Sequence, residues 1–221
     1  MFRRIIFTIA LISGAYAALA QPTFKGGEQA LNKFLKEKII YPDFASRNCI
    51  SAVVHVKFRV YKDGRVDKVK VQSGPGIDLD EEAIRVVKRT AGKWTLPAGV
   101  EAATAVLPVR FTPDPSRCNS STKLSREQAI NAYHQRQEQE NAVTNYYQNK
   151  HAGKADTSKE AYIISLKQQL GFDEDFIEDI LAQADEKRKQ GDNEGACADW
   201  KFIRNIGSIK ADPLLARYCI K

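Results

Sequence analysis

Past residue 20 the sequence contains no apolar run long enough to cross a membrane, so any hydrophobic anchor would have to lie at the N-terminus. Its three histidines, His55, His134 and His151, have no partners at metal-ligand spacing, so they read as surface residues and neither metal nor cofactor is expected. A nucleophile elbow, a paired-carboxylate signature, zinc spacing and a phosphate loop are all missing, which argues against an enzyme. The net charge is +7, yet the lysines and arginines are scattered over turns and strand exteriors and do not cluster with aromatics. That pattern is a solvated surface, and nucleic acid is a poor fit for it.

What is present begins with Met1-Phe2-Arg3-Arg4, an apolar stretch from Ile5, and Ala18-Leu19-Ala20 before Gln21. This reads as a secretory signal peptide cleaved after Ala20. The run is broken by Thr8, Ser13 and Gly14 and falls short of the roughly 20 residues of a span; an uncleaved inner-membrane anchor is the alternative. No cysteine follows it, so lipid attachment is not expected, and any membrane contact would come through partners. In an exported chain the four cysteines can be oxidised, with three possible connectivities. Cys49 stands before the first predicted strand and Cys118 just past the last, while Cys197 and Cys219 share the C-terminal part. The expected pairs are Cys49–Cys118 and Cys197–Cys219, with reduced, partly buried thiols as the alternative. Residues 21–112 carry 16 basic against 10 acidic side chains and residues 113–221 carry 16 against 17, so two units of different composition are expected.

Within the first unit, Ile50, Ala52, Val54, Val56, Phe58 and Val60 alternate with Ser51, His55, Lys57 and Arg59, the signature of a half-buried strand. Asp63-Gly64 follows, and Val66, Val69 and Val71 rise out of it, which predicts a hairpin. Before it, Ala30, Leu31, Phe34, Leu35 and Ile39 fall at helical spacing, ended by Tyr41-Pro42. After it, Asp78 reads as an N-cap carboxylate with Glu81 three residues on, heading a helix whose buried stripe is Leu79, Ala83, Val86 and Val87. The acids Asp78, Asp80, Glu81 and Glu82 therefore read as a helix start and not as acid-base catalysts. Trp94 is expected to plug the end of the core. A third strand, Ala105 to Phe111, carries Leu107, Val109 and Phe111 on one side and Val106, Pro108 and Arg110 on the other. Pro108 confines it to a sheet edge. A right-handed crossover makes it parallel to the second strand and antiparallel to the first if it lands there. The fold class is α+β: a two-layer, three-stranded sheet with two helices on one face, followed by an all-α part.

Phe24-Lys25-Gly26-Gly27, Tyr41-Pro42, Val54 to Val60, Asp63-Gly64, Leu79-Asp80-Glu81-Glu82-Ala83, Lys93-Trp94 and Leu107-Pro108-Val109-Arg110-Phe111 together resemble the C-terminal domain of TonB energy-transducer proteins. The resemblance covers residues 21–112. It implies a periplasmic domain that binds a short segment of an outer-membrane receptor or other envelope protein as an added strand, linked to TonB-dependent transport. The binding edge would comprise Val106, Leu107, Val109, Arg110 and Phe111, since an edge strand offers open backbone groups. The sequence departs from the family in lacking a long proline-rich span and in placing Cys49 where glycine is usual. A soluble peptide-binding adaptor follows more readily than an energy transducer. A structural scaffold touching peptidoglycan and an abbreviated, membrane-anchored transducer are the competing readings, and the C-terminal part could fold over the edge and close it.

Residues 113–124 read as a linker, with Thr112-Pro113-Asp114-Pro115-Ser116 and Asn119 to Thr122 as turn formers. From Ser125-Arg126-Glu127-Gln128, a capping-box pattern, residues 125–221 are helical throughout, interrupted by Gly171 and Gly191. His134 to Asn141 is wholly polar and expected to be exposed. Gly191 to Trp200 with Tyr218-Cys219 resembles the closing unit of a tetratricopeptide-like array, with a plain bundle as the equal alternative.

Overall fold

The computed structural model describes residues 21–117 and 124–219. The expected signal peptide and Cys118, and with it the Cys49–Cys118 pairing, lie outside the described residues.

The first unit is built on a three-stranded antiparallel sheet of β2 (Ala52–Tyr61), β3 (Val66–Ser73) and β5 (Ala102–Phe111), in the order β3-β2-β5. The hairpin turn closes through Tyr61 N–H to Arg65 O and Gly64 N–H to Tyr61 O. Gly64 is at φ 82, and its position meets the Gly92 backbone so closely that a Cβ would stand 3.1 Å from Gly92 Cα. Glycine is required there for both reasons. Val54, Val56, Phe58 and Val60 of β2 and Leu107, Val109 and Phe111 of β5 are buried, so the alternation puts one face in the core.

Helix α1 (Gly27–Lys38) and helix α3 (Asp78–Lys88) cover that face, with Leu35, Leu79, Ala83, Val86 and Val87 in the same core. Three short elements go beyond the expected set. A five-residue helix α2 (Asp43–Arg47) buries Phe44 and Ala45, and β1 (Thr23–Phe24) pairs with β4 (Trp94–Thr95) as a small second sheet. Trp94 does plug the core: it is 6% exposed, packs edge-on against Phe24, and donates from Nε1 to Thr90 Oγ1 at 2.7 Å.

The expected cap on α3 is corrected. Ile77 occupies the N-cap position without a side-chain bond, and Asp78 is the first helical residue. Its carboxylate instead accepts from Ala45 N–H at 3.2 Å, tying α2 to α3, while Asp80 accepts from Gly76 N–H at 3.0 Å. Burial pushes the Asp78 carboxyl up to about 7, against the pull of the Ala45 bond.

The remaining helices are α4 (Arg126–His151), α5 (Glu160–Leu170), α6 (Glu174–Lys189), α7 (Asn193–Asn205) and α8 (Asp212–Tyr218). The capping box at Ser125 and Gln128 forms as expected, and Gly171 ends α5 in the left-handed region. Val143, Tyr146, Leu166, Phe176, Ile180, Trp200 and Ile203 make a second core, and the disulfide Cys197–Cys219 fastens α7 to the end of α8.

Helix α4 belongs to both units. Its Ile130 and Tyr133 pack on the first core, its Val143 and Tyr146 on the second. Its polar middle is therefore not uniformly exposed. Arg136 is drawn in, pairing with Glu140 at 2.8 Å and Asp43 at 3.7 Å and donating to Leu170 O. A second clasp is Arg85, which holds Glu82 at 2.6 Å and reaches Gln190 and Asp192 of the α6–α7 turn at 3.3 and 3.4 Å. Burial raises the Glu82 carboxyl, and the Arg85 guanidinium and Ile40 N–H pull against it. No helix among the described residues is long and apolar enough to cross a membrane.

Candidate functional site

Strand β5 pairs with β2 without interruption from Ala52↔Phe111 to Tyr61↔Ala102 and, among the described residues, has no strand on its other side. The direction of its backbone groups follows from two bonds at the hairpin end. Tyr61 N–H points to Arg65, toward β3, and Lys62 N–H points to Glu101 O, toward β5. Since successive residues of a strand bond to opposite sides, the even residues of β2 face β5 and the odd residues of β5 face β2. The amides and carbonyls of Thr104, Val106 and Arg110, and the carbonyl of Pro108, are therefore turned outward. Pro108 costs the ladder nothing, because its missing N–H lies on the open side.

Beside this edge runs a groove of about 900 Å³ between β5 and α1. Leu31, Leu35 and Ile39 line it from the helical side, Leu107 and Phe111 from the strand, and Tyr41 closes one end. Leu31 and Ile39 are only half-buried, so an occupant would complete their burial. Glu28, Asn32, Lys36 and Arg110 form its polar rim. Tyr41 is fixed by donating to Ile50 O at 2.6 Å and by an edge-on contact with Phe111 at 5.9 Å. Burial, then the charge of Asp78, pushes its hydroxyl up to about 12, so it stays a neutral donor. All the lining residues fall between 28 and 112, and the helical unit docks elsewhere, on α2, α3 and Gly74–Gly76.

The five residues named for the edge divide by role. Val106, 44% exposed, and the exposed Arg110 carry outward backbone groups; Leu107 and Phe111 present side chains to the groove. Val109 is fully buried opposite Val54 and touches neither. Sequence reasoning missed the α1 wall. Its signal was there in Leu31, Leu35 and Ile39, spaced four apart on one helical stripe, but nothing in a helical period says which strand edge it will flank. The four cysteines divide similarly: Cys197 and Cys219 are joined, and no described cysteine is free. Among the described residues no cluster of histidine, cysteine or carboxylate side chains could hold a metal.

No curated protein and no solved structure matches the chain. The helical unit's likeness to a tetratricopeptide-like unit thus gains no support, and the family match stops short of it. That match takes in α2, α3 and all three strands of the main sheet, the open edge included: residues 37–113 fit the family described as Gram-negative bacterial TonB protein C-terminal.

Proposed function

We propose that the chain is a periplasmic binding module that takes an extended segment of an outer-membrane or other envelope protein as a fourth strand beside β5, in a non-catalytic role. The observation that carries this reading is the joint presence of a row of backbone groups on Thr104, Val106 and Arg110, unpaired among the described residues, and an apolar groove directly alongside it. Main-chain bonds to the open row would supply affinity, and the groove would receive every second side chain. The family match to residues 37–113 supports an envelope partner. Removal of the first 20 residues on export would leave the module free in the periplasm, and N-terminal sequencing of the exported protein should find Gln21.

The test is an amide-resolved NMR titration of residues 21–221 with peptides from the periplasm-facing segments of outer-membrane receptors. The amides of Thr104, Val106 and Arg110 should respond most, with those of α1 following. A response confined to the helical unit, or none, would remove the reading.

A further inference from the structure

The face of the sheet that points away from the helices is basic, and this bears on what the docked strand must look like. Side chains of paired residues lie on one face, so Arg110 and Val53, Val106, Lys57 and Lys70, and Thr104, Arg59 and Asp67 form successive rows across β5, β2 and β3. Lys57, Lys70 and Arg110 are exposed and Arg59 half-buried. Among the described residues none of these four has an ion-pair partner. Asp67, the one carboxylate in the rows, is taken up by the Tyr61 hydroxyl at 2.8 Å and by Arg65. Lys57 and Lys70 stand directly opposite each other, an arrangement that disfavours the pair unless an anion lies near.

We infer that the segment accepted at the β5 edge is two-faced, with apolar side chains turned into the α1 groove and carboxylates turned to the basic face. The inference rests on the edge-docking reading above. An added strand would lie roughly 5 Å beyond β5, so its outward side chains continue the rows of Arg110, Val106 and Thr104 and lie about 10 Å from Lys57 and Arg59. Arg110 is then the first-row contact for a carboxylate, and the cations on β2, lying just beyond the Debye length of about 8 Å at physiological salt, add a weaker attraction that grows as the salt is lowered. The inward side chains meet Leu31, Leu35, Ile39 and Leu107, where a charge would be stranded without a partner. Alternation of apolar and acidic residues is thus selected on both sides, and register follows, since a one-residue slip puts every acid in the groove.

Three synthetic nonapeptides sharing valine and threonine at one set of alternate positions, with glutamate, glutamine or lysine at the other, provide the test. Each is titrated into residues 21–221 at 50 mM and 500 mM salt, with β5 amide shifts locating the site. The glutamate peptide should bind five- to tenfold more tightly than the glutamine one at low salt, with the lysine peptide weakest and the differences shrinking at high salt. Arg110→Glu should reverse the preference. Equal affinities with β5 amides responding would overturn the charge selection and leave edge docking standing. If no peptide moves the β5 amides, edge docking fails and the inference with it. Binding that moves only Lys57 and Lys70, or a dimer by sedimentation that blocks the edge with a second copy, would overturn it too.

Discussion

The two edges of the sheet are built differently, and the difference makes one of them the better template for an added strand. β5 runs straight, with ten successive pairs to β2 and its open row of backbone groups beside an apolar groove. β3 is broken up. Between Asp67 and Lys70 it spends three steps against two of β2, and between Val71 and Ser73 two against one. Lys68 is held at φ 50 at the first of these bulges, and Lys68 and Lys70 are both exposed. Bulges and lysines are the ordinary means of making an edge unfit for pairing. One edge is closed by irregularity and the other left regular.

The sharpest way to break this comparison is proline scanning of β5. Ala105 is an odd residue whose N–H serves the ladder to Phe58, whereas Val106 faces outward. Ala105→Pro should therefore cost about 3 kcal/mol or more, by removing a ladder bond and stranding a carbonyl, read as a fall in the urea midpoint. Were Ala105→Pro to be harmless, the assignment of inward and outward rows would be wrong.

A second prediction separates the edge from the fold's pH dependence, which lies at the α2–α3 seam. Because Asp78 titrates near 7 when folded and near its ordinary 3.8 when unfolded, the native state holds a proton that the unfolded chain gives up. The stability that Asp78 contributes is then fully present below about pH 4, falls as pH rises toward 7, and levels off above it. The loss should be on the order of 4 kcal/mol, and Asp78→Asn, which keeps the acceptor for Ala45 N–H, should remove most of it. Buried Glu82 and half-buried Glu140 and Asp199 are raised by desolvation in the same sense and will leave a residual slope. Peptide affinity per folded molecule should be unchanged between pH 5 and 7.5; a parallel change in both would tie the edge to the seam.

Smaller in energy but closer to function is Val106→Pro. Its ring would lie on the open side, as that of Pro108 does, so the melting temperature should move by no more than a few degrees. Peptide binding should weaken about tenfold, near 1.4 kcal/mol, through loss of an outward donor. Unaltered binding would shift the docking row elsewhere.

How much of this was legible beforehand follows from which interactions are local. The alternation of Val54, Val56, Phe58 and Val60, the Asp63-Gly64 turn and the proline at 108 each depend on a few neighbouring residues, and all appear where the pattern put them. The groove does not, because it joins Leu31 to Leu107 across 76 positions of sequence. Asp78 looked like a cap because caps are recognised from local spacing, yet a long-range donor, Ala45 N–H, claims its carboxylate. Arg136 looked exposed in an all-polar run because its partners, Asp43 and Leu170, lie on two other helices. The bulges in β3 left no mark at all, since Lys68 is an ordinary residue for a strand exterior.

That last residue gives the finest probe of the comparison. Lys68 is held at a positive φ that an L-residue adopts at a cost and glycine adopts freely. If the irregularity of β3 is maintained against local strain, Lys68→Gly should stabilise the protein by up to about 1 kcal/mol, less whatever glycine adds to the unfolded chain's entropy. The same change removes one of the two exposed lysines without straightening the strand, so β3 should remain unreceptive and the nonapeptides should still shift only the β5 amides. A variant in which β3 begins to bind strands would assign the protection of that edge to charge and not to the bulge.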